Sequence, residues 1–310
     1  MSIQKKIQPI QLGNLHFASN LIQAPLAGLS CAPFRELIAQ FGGAAYCVTE
    51  MVSAKTLLGR PEKRYIYKSP NEGTLCFQLS GNNATELEEA ALRAVSYGAD
   101  LIDLNCGCPV NKIRKKNSGS KWLSISQELG QVIQGIKSKI SPPLSVKIRV
   151  DGMSGDRFNT DVVKAINDAG ADFIIVHGRH WSERYDTPAR LDEIASIVEQ
   201  STIPVIGNGD VQDYTSLQKM FEATGCAGIM IGRASVGRPW LFEMLMAEDR
   251  GEKYAPPTTE QIVKLLLHHV RQLSYLENKE RALLQARKFA KYYLPTDILP
   301  DISFLLSQNG

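Results

Sequence analysis

Eight short β-branched runs, each followed by a longer segment of helical period, constrain this chain more than any other feature. The runs are Leu21–Ala24, Tyr46–Thr49, Leu75–Leu79, Leu101–Asn105, Leu144–Val150, Phe173–His177, Pro204–Asn208 and Gly228–Ile231. Successive starts lie 24 to 43 residues apart, and a strand–helix unit with its loops needs about 30. Between them the spacing of apolar residues predicts helices over 84–97, 126–139, 159–169, 190–200 and 214–224. Such alternation predicts a parallel sheet with helices outside it. Eight repeats predict an α/β fold, a (β/α)8 TIM barrel over residues 1–245. An open doubly wound sheet is the competing arrangement, and it rarely carries so many regular repeats.

Beyond the eighth unit the pattern changes. Residues 251–257 read as a linker, and Thr258-Thr259-Glu260-Gln261 has the form of a capping box opening a helix. Ile262, Leu265, Leu266, His269, Leu273 and Leu276 share one face of that helix. A second helix, from Lys279 to about Leu294, carries Arg281, Arg287, Lys288 and Lys291. Residues 246–310 are therefore expected to form a small helical domain on the barrel.

Composition narrows the class. Apolar residues make up 44% and charged residues 22% of the 310 residues, the balance of an ordinary globular protein. There is no apolar run of membrane-spanning length and no signal-peptide core near the start. The six cysteines lack paired CxxC spacing, which fits a reducing cytoplasm better than a disulfide framework or a zinc ribbon. No metal site is expected, and a cytoplasmic monomer is. A net charge of +3 is too mild to name a partner.

In a barrel the chemistry sits at the C-terminal ends of the strands. The first strand leads into Ala24-Pro25-Leu26-Ala27-Gly28, small residues over which backbone can approach a planar ligand. The third strand presents Gln78. The fourth ends in Asn105-Cys106-Gly107-Cys108-Pro109, with Asn105 a candidate for holding substrate. A cysteine there can serve as nucleophile, metal ligand or proton donor. The fifth strand gives Lys147 and Arg149, and the sixth gives His177-Gly178-Arg179. Glycine-rich loops follow the seventh and eighth strands, Asn208-Gly209-Asp210 and Gly232-Arg233, where many barrels bind phosphate through amide N–H groups. The same glycines could simply make tight turns.

Gln78 can hydrogen-bond the imide edge of a flavin, and Lys147 can place positive charge beside its anionic reduced form. Lys147 could equally be a snorkelling lysine or a Schiff-base lysine. A phosphate, an amide and a lysine around one mouth suit FMN. No GxGxxG follows a strand, so a Rossmann dinucleotide site is not indicated.

Taken in order, these motifs, together with Pro33-Phe34-Arg35 and Thr49-Glu50-Met51, resemble the tRNA-dihydrouridine synthase family from about residue 18 to 245. That resemblance implies an FMN-binding barrel with a C-terminal tRNA-binding helical domain. It implies reduction of the C5–C6 double bond of a tRNA uridine, with NADPH (or NADH) as electron donor. By resemblance Cys108 is the general acid, and His177 and Arg179 contact the flavin or the uracil. An unperturbed thiol, of pKa near 8.5, is mostly protonated at neutral pH, as a general acid must be.

The charge pattern offers RNA a path. Lys112, Arg114, Lys115, Lys116 and Lys121 follow the cysteine with no acid among them, so phosphates would gather beside the target base. Arg287 and Lys288 extend that surface, unless their helix face is merely solvated. A uridine must unstack to be reduced, so base flipping is implied. Departures from the family pattern occur at Lys121-Trp122, at Val150-Asp151-Gly152-Met153 and at His180. Two other functions compete: a dihydroorotate-dehydrogenase-like FMN enzyme acting on a free pyrimidine, which needs no cationic loop, and a non-catalytic tRNA-binding protein.

Overall fold

The computed structural model describes residues 6–115, 117–152 and 159–294. An antiparallel hairpin comes first, β1 (Ile10–Leu12) and β2 (Leu15–Phe17). The remaining strands are β3 (Leu21–Gln23), β4 (Tyr46–Val48), the short β5 (Val52–Ser53), β6 (Leu75–Ser80), β7 (Leu101–Asn105), β8 (Leu144–Arg149), β9 (Phe173–His177), β10 (Val205–Asn208) and β11 (Gly228–Ile231). All pair in parallel in the order β4-β3-β11-β10-β9-β8-β7-β6, and β4 also pairs with β6, which closes the eight-stranded barrel. The eight expected strands agree with those observed to within one residue at each end. The hairpin and β5 are additions.

Among the described residues the helices are α1 (Ala32–Phe41), α2 (Ala54–Leu58), α3 (Lys63–Ile66), α4 (Ala84–Ser96), α5 (Asn111–Arg114), α6 (Ser126–Lys137), α7 (Asn159–Asp168), α8 (Leu191–Gln200), α9 (Tyr214–Thr224), α10 (Leu241–Asp249), α11 (Thr259–Leu276) and α12 (Lys279–Tyr293). Their starts follow side-chain caps where the sequence supplies them. Asn83 accepts from Glu86 N–H, Asn278 from Arg281 N–H, and Thr258 with Gln261 forms the expected reciprocal box, each stabilising by about 1 kcal/mol. No helix among the described residues is long and apolar enough to cross a membrane.

Two buried clusters follow from strand alternation. Leu87, Leu104, Ile133, Val146, Val163, Ile174 and Ile197 belong to the layer between strands and helices. Ile22, Tyr46, Val48, Cys76, Leu101, Phe173, Ile175, Ile206 and Met230 fill the barrel, with Leu12, Leu15 and Phe17 of the hairpin packed against them. The hairpin thus plugs the N-terminal end. Because side chains alternate faces, the inward set climbs from Cys76 to Gln78, from Leu101 through Asp103 to Asn105, from Ser145 to Lys147, from Ile175 to His177 and from Ile206 to Asn208. Each inward row ends polar at the C-terminal mouth; three are apolar below it, while Asp103 and Ser145 carry polar groups one layer deeper.

The boundary expected at residues 245 and 246 falls inside α10. That helix belongs to the barrel: Asp249 at its end accepts from the N–H groups of Lys6 (2.9 Å) and Ile7 (3.2 Å) and from the Tyr214 hydroxyl (3.0 Å). Beyond it α11 packs on α1, and Phe34 stacks on Phe289 with ring centroids 6.4 Å apart.

Candidate active site

The strand ends assemble a connected polar floor. Gln78 donates to Asp103 at 2.7 Å and accepts from Asn105 at 2.9 Å, while Ser145 donates to the other Asp103 oxygen at 2.6 Å. Across the mouth Lys147 Nζ donates to Asn208 Oδ1 at 2.9 Å, and Asn208 Nδ2 donates to the Met230 carbonyl at 2.8 Å. These bonds fix the amide orientations, so Gln78 and Asn105 cannot turn freely. Asp103, which sequence reading did not single out, is fully buried beneath them. Burial pushes its carboxyl up, against the hydrogen bonds from Ser145 and Gln78 and the charge of Lys147. Burial and the nearby Arg149 push the Lys147 ammonium down. Asp103 was legible as the inward residue two before Asn105, the parity that any β-strand imposes.

Cys108 sits on the loop that leaves β7. Asn105 Oδ1 accepts its N–H at 2.9 Å, Ser120 N–H donates to its carbonyl at 3.1 Å, and Arg149 Nε donates to the Gly107 carbonyl at 2.7 Å. Gly119 closes against it with φ +62°, and a Cβ there would lie 2.8 Å from the Cys108 oxygen. The thiol is half-buried, and burial raises its pKa despite the Val110 backbone hydrogen bond and Arg149. It therefore stays protonated at neutral pH. Cys106 is fully buried with the outer packing layer, which leaves Cys108 as the thiol at the mouth.

His177 lies between the two halves of the site. Burial first, then Lys147, Arg149, Arg179 and Arg233, hold its pKa well below the usual histidine range. Its imidazole is neutral, and the four cations mark a region of positive potential. Such a region inside a half-enclosed mouth favours an anionic ligand.

Arg179 differs from expectation. Only 1% exposed, it donates to the Thr187 carbonyl (2.5 Å), the Tyr185 carbonyl (3.2 Å) and both Asp210 oxygens (2.7 and 2.6 Å), and lies 3.3 Å from His177 Nε2. Its guanidinium is taken up by the loop after β9, so it shapes the mouth and orients His177 rather than reaching into open space. Asp210, expected beside a phosphate, also receives Arg233 (3.2 Å) and the Ala189 N–H (2.9 Å). Its carboxylate thereby holds the Arg179 and Arg233 guanidinium groups on one side of the mouth. The turn that allows this has φ +143° at Gly209 and +54° at Asp210. Arg233 is half-exposed and stacks 4.1 Å from the Tyr185 ring centroid. Tyr185, 59% exposed at the rim, carried no sequence signal.

Pro25, Leu26 and Ala27 follow β3 and form the adjoining rim, where a Cβ on Gly232 would lie 3.5 Å from Ala24 and Leu26. Gly28 N–H donates to Glu50 at 2.5 Å, and Lys288 of α12 donates to the Gly28 carbonyl at 3.4 Å. The helical pair thus touches the mouth directly. Arg64 locks it there, buried between Glu50 and Glu277. Lys115 and Arg287 are exposed; Arg281 is paired with Glu62 at 2.9 Å. Arg114 stacks on Trp181, 3.1 Å from the ring centroid, and Trp122 is buried with its indole N–H on the Gly81 carbonyl. Lys116 lies outside the described residues.

The family model described as dihydrouridine synthase matches residues 22–302. The chain belongs to the dihydrouridine synthase family. It is 33% identical over 288 residues to the probable tRNA-dihydrouridine synthase 1 of Synechocystis, covering 92% of this chain and 81% of that protein. It is 32% identical to tRNA-dihydrouridine synthase B of Pseudomonas aeruginosa over 93% of this chain and 87% of the relative. Against tRNA-dihydrouridine synthase B of Salmonella typhimurium the values are 30% identity, 97% and 94%. Among solved structures, histamine dehydrogenase from Rhizobium sp. 4-9 superposes with a TM-score of 0.60 at 17% identity, covering 80% of this chain and 48% of that one. A variant of NCR from Zymomonas mobilis gives a TM-score of 0.56 at 16% identity, covering 84% and 96%. These two show the barrel fold that the family member shares.

Proposed function

We propose that this protein reduces the C5–C6 double bond of a uridine in tRNA, with FMN as its cofactor and NADPH as electron donor, in the cytoplasm and as a monomer. The observation that carries the reading is the half-buried Cys108 thiol, its backbone held by Asn105, at the edge of a cationic mouth whose floor is a fixed array of amides. The donor set fits FMN. Lys147 and Gln78 suit the pyrimidine edge of the flavin ring; Arg233 with the Asn208-Gly209-Asp210 and Gly232 backbone suits its phosphate; Pro25, Leu26 and Ala27 suit its flat flank. When bound, reduced flavin supplies hydride to C6 of the uracil.

The chain's own groups do the rest. Asn105 and the neutral His177 present hydrogen-bonding edges to the uracil. Cys108 Sγ gives its proton to C5 from the face opposite the hydride, and its raised pKa keeps that proton in place near pH 7. Arg179 and Asp210 hold the loop that positions His177 and Arg233. Lys115, Lys116, Arg287 and Lys288 meet phosphates and orient the tRNA without reading its bases.

The test has two steps. The purified protein should be yellow and release FMN, not FAD, on denaturation. Its flavin, reduced anaerobically by NADPH, should then be reoxidised by unmodified tRNA. A colourless protein that fails to take up FMN would refute the reading. Flavin reduction by dihydroorotate, with tRNA inert, would favour the free-pyrimidine enzyme instead.

A further inference from the structure

A groove of about 1030 Å³ runs beside the barrel mouth, between the loops that follow β4, β6 and β7. Its walls include Thr56, Tyr65, Asn82, Glu86, Lys115 and Asn117. It is continuous with the catalytic loop, because Asn117 and Ser118 line the groove and the next residues seat Cys108: Ser120 N–H binds the Cys108 carbonyl at 3.1 Å. Whatever fills the groove lies beside the loop that carries Cys108.

The lining specifies the occupant. Glu86, in the first turn of α4, lines the groove with its side chain 32% exposed, and its Oε1 lies 3.9 Å from the Lys55 ammonium. A carboxylate at a groove wall accepts N–H groups, such as the edge of a nucleobase offers. Tyr65 supplies an aromatic wall, and the exposed Lys55 and Lys115 supply cations at the rim. Pockets for small ligands span about 300–1,000 Å³, so there is room for a nucleotide and bridging water. We propose that this groove seats the nucleotide adjacent to the reduced uridine, with its phosphate toward Lys55 and Lys115 and an N–H edge of its base on Glu86. The proposal rests on tRNA being the substrate. It assigns to this groove the discrimination of sequence context around the target.

The experiment uses the complete protein and intact tRNA in which each nucleotide flanking the target uridine is replaced in turn by an abasic site. For the wild type, removing the base that occupies the groove should lower kcat/KM about tenfold, the scale of one lost base contact. Asn82→Trp and Thr56→Trp alter exposed positions and fill the groove. Each should lose about tenfold on intact tRNA and nothing further on the abasic tRNA. Glu86→Leu, which removes the acceptor and keeps the bulk, should reproduce the loss. Equal abasic penalties in wild type and filled variants would overturn the proposal, as would a change confined to the KM for NADPH. If the wild type forms no dihydrouridine from intact tRNA, the proposed function itself fails. If it does and the penalties are uncoupled, the groove assignment alone falls.

Discussion

Replacing Arg64 with Met removes the cation that ties the helical pair to the barrel. Arg64 Nε donates to Glu50 at 2.7 Å, and the same guanidinium pairs with Glu277 just beyond α11. The three side chains are 6%, 8% and 4% exposed, so the small value of surface ion pairs, about 0–1 kcal/mol, does not apply. Removing one partner of a buried pair costs about 3–5 kcal/mol, because the remaining charge is left uncompensated. Here two carboxylates are left facing each other. Against a total stability of about 5–15 kcal/mol the loss is large. Urea unfolding of wild type, Arg64→Met and Arg64→Met/Glu277→Gln measures it. The double variant, with one orphan charge removed, should recover at least about 1 kcal/mol. A loss below about 1 kcal/mol in Arg64→Met would refute the reasoning. The KM for tRNA should also rise, since the docking of α12 brings Lys288 to Gly28.

Four further outcomes are expected. Cys108→Ala should keep its flavin and slow reoxidation by tRNA about 10²- to 10⁴-fold, while Cys106→Ala costs far less; the reverse order in stopped-flow measurements would move the acid. Gly119→Ala should slow the same step, because its Cβ would lie 2.8 Å from the Cys108 oxygen at φ +62°; wild-type turnover would show that the seat does not matter. Changing Lys115 and Arg287 to Ala should flatten the log–log salt dependence of tRNA binding by up to about 0.9 per phosphate contact, and an unchanged slope would place the RNA elsewhere. His269, buried among Phe34, Phe289 and Tyr293, is pushed down to about 3 by burial and then by His268 and Arg64. Its folded pKa lies below its unfolded value near 6.5, so its contribution is complete above that pH and is lost as pH falls toward 3. His269→Phe should remove up to about 1.4 kcal/mol per pH unit of that acid sensitivity, read from denaturant midpoints between about pH 4.5 and 7; identical slopes would contradict it.

The barrel was legible because burial on both faces makes each strand a short apolar run, and inward-facing polar residues at or near the C-terminal ends of five runs marked the mouth. Gln78, Asn105, Lys147, His177 and Asn208 all follow from that rule and lie together in the structure. The hairpin Ile10–Phe17 escaped because its strands are three residues each, although the Gly13-Asn14 connection is a hairpin signal. Arg179 looked like a ligand contact because its motif adjoins His177. Its actual bonds go to Asp210, 31 residues away, and depend on how residues 180–190 fold. The Arg64–Glu277 pair spans 213 residues, and local spacing carries no trace of it. Charge runs showed where phosphates could gather but not which side chains were already taken, as Arg114 is by Trp181 and Arg281 by Glu62.

The most direct measurement of the central claim is the dihydrouridine content of tRNA, mapped by nucleoside mass in cells with and without the gene and again after incubating the unmodified tRNA with the purified protein, FMN and NADPH. One uridine position, or a small defined set, should lose its two added hydrogens in the deletion strain and regain them in vitro with wild-type protein but not with Cys108→Ala. Identical maps in both strains, together with no mass gain in vitro, would contradict the account.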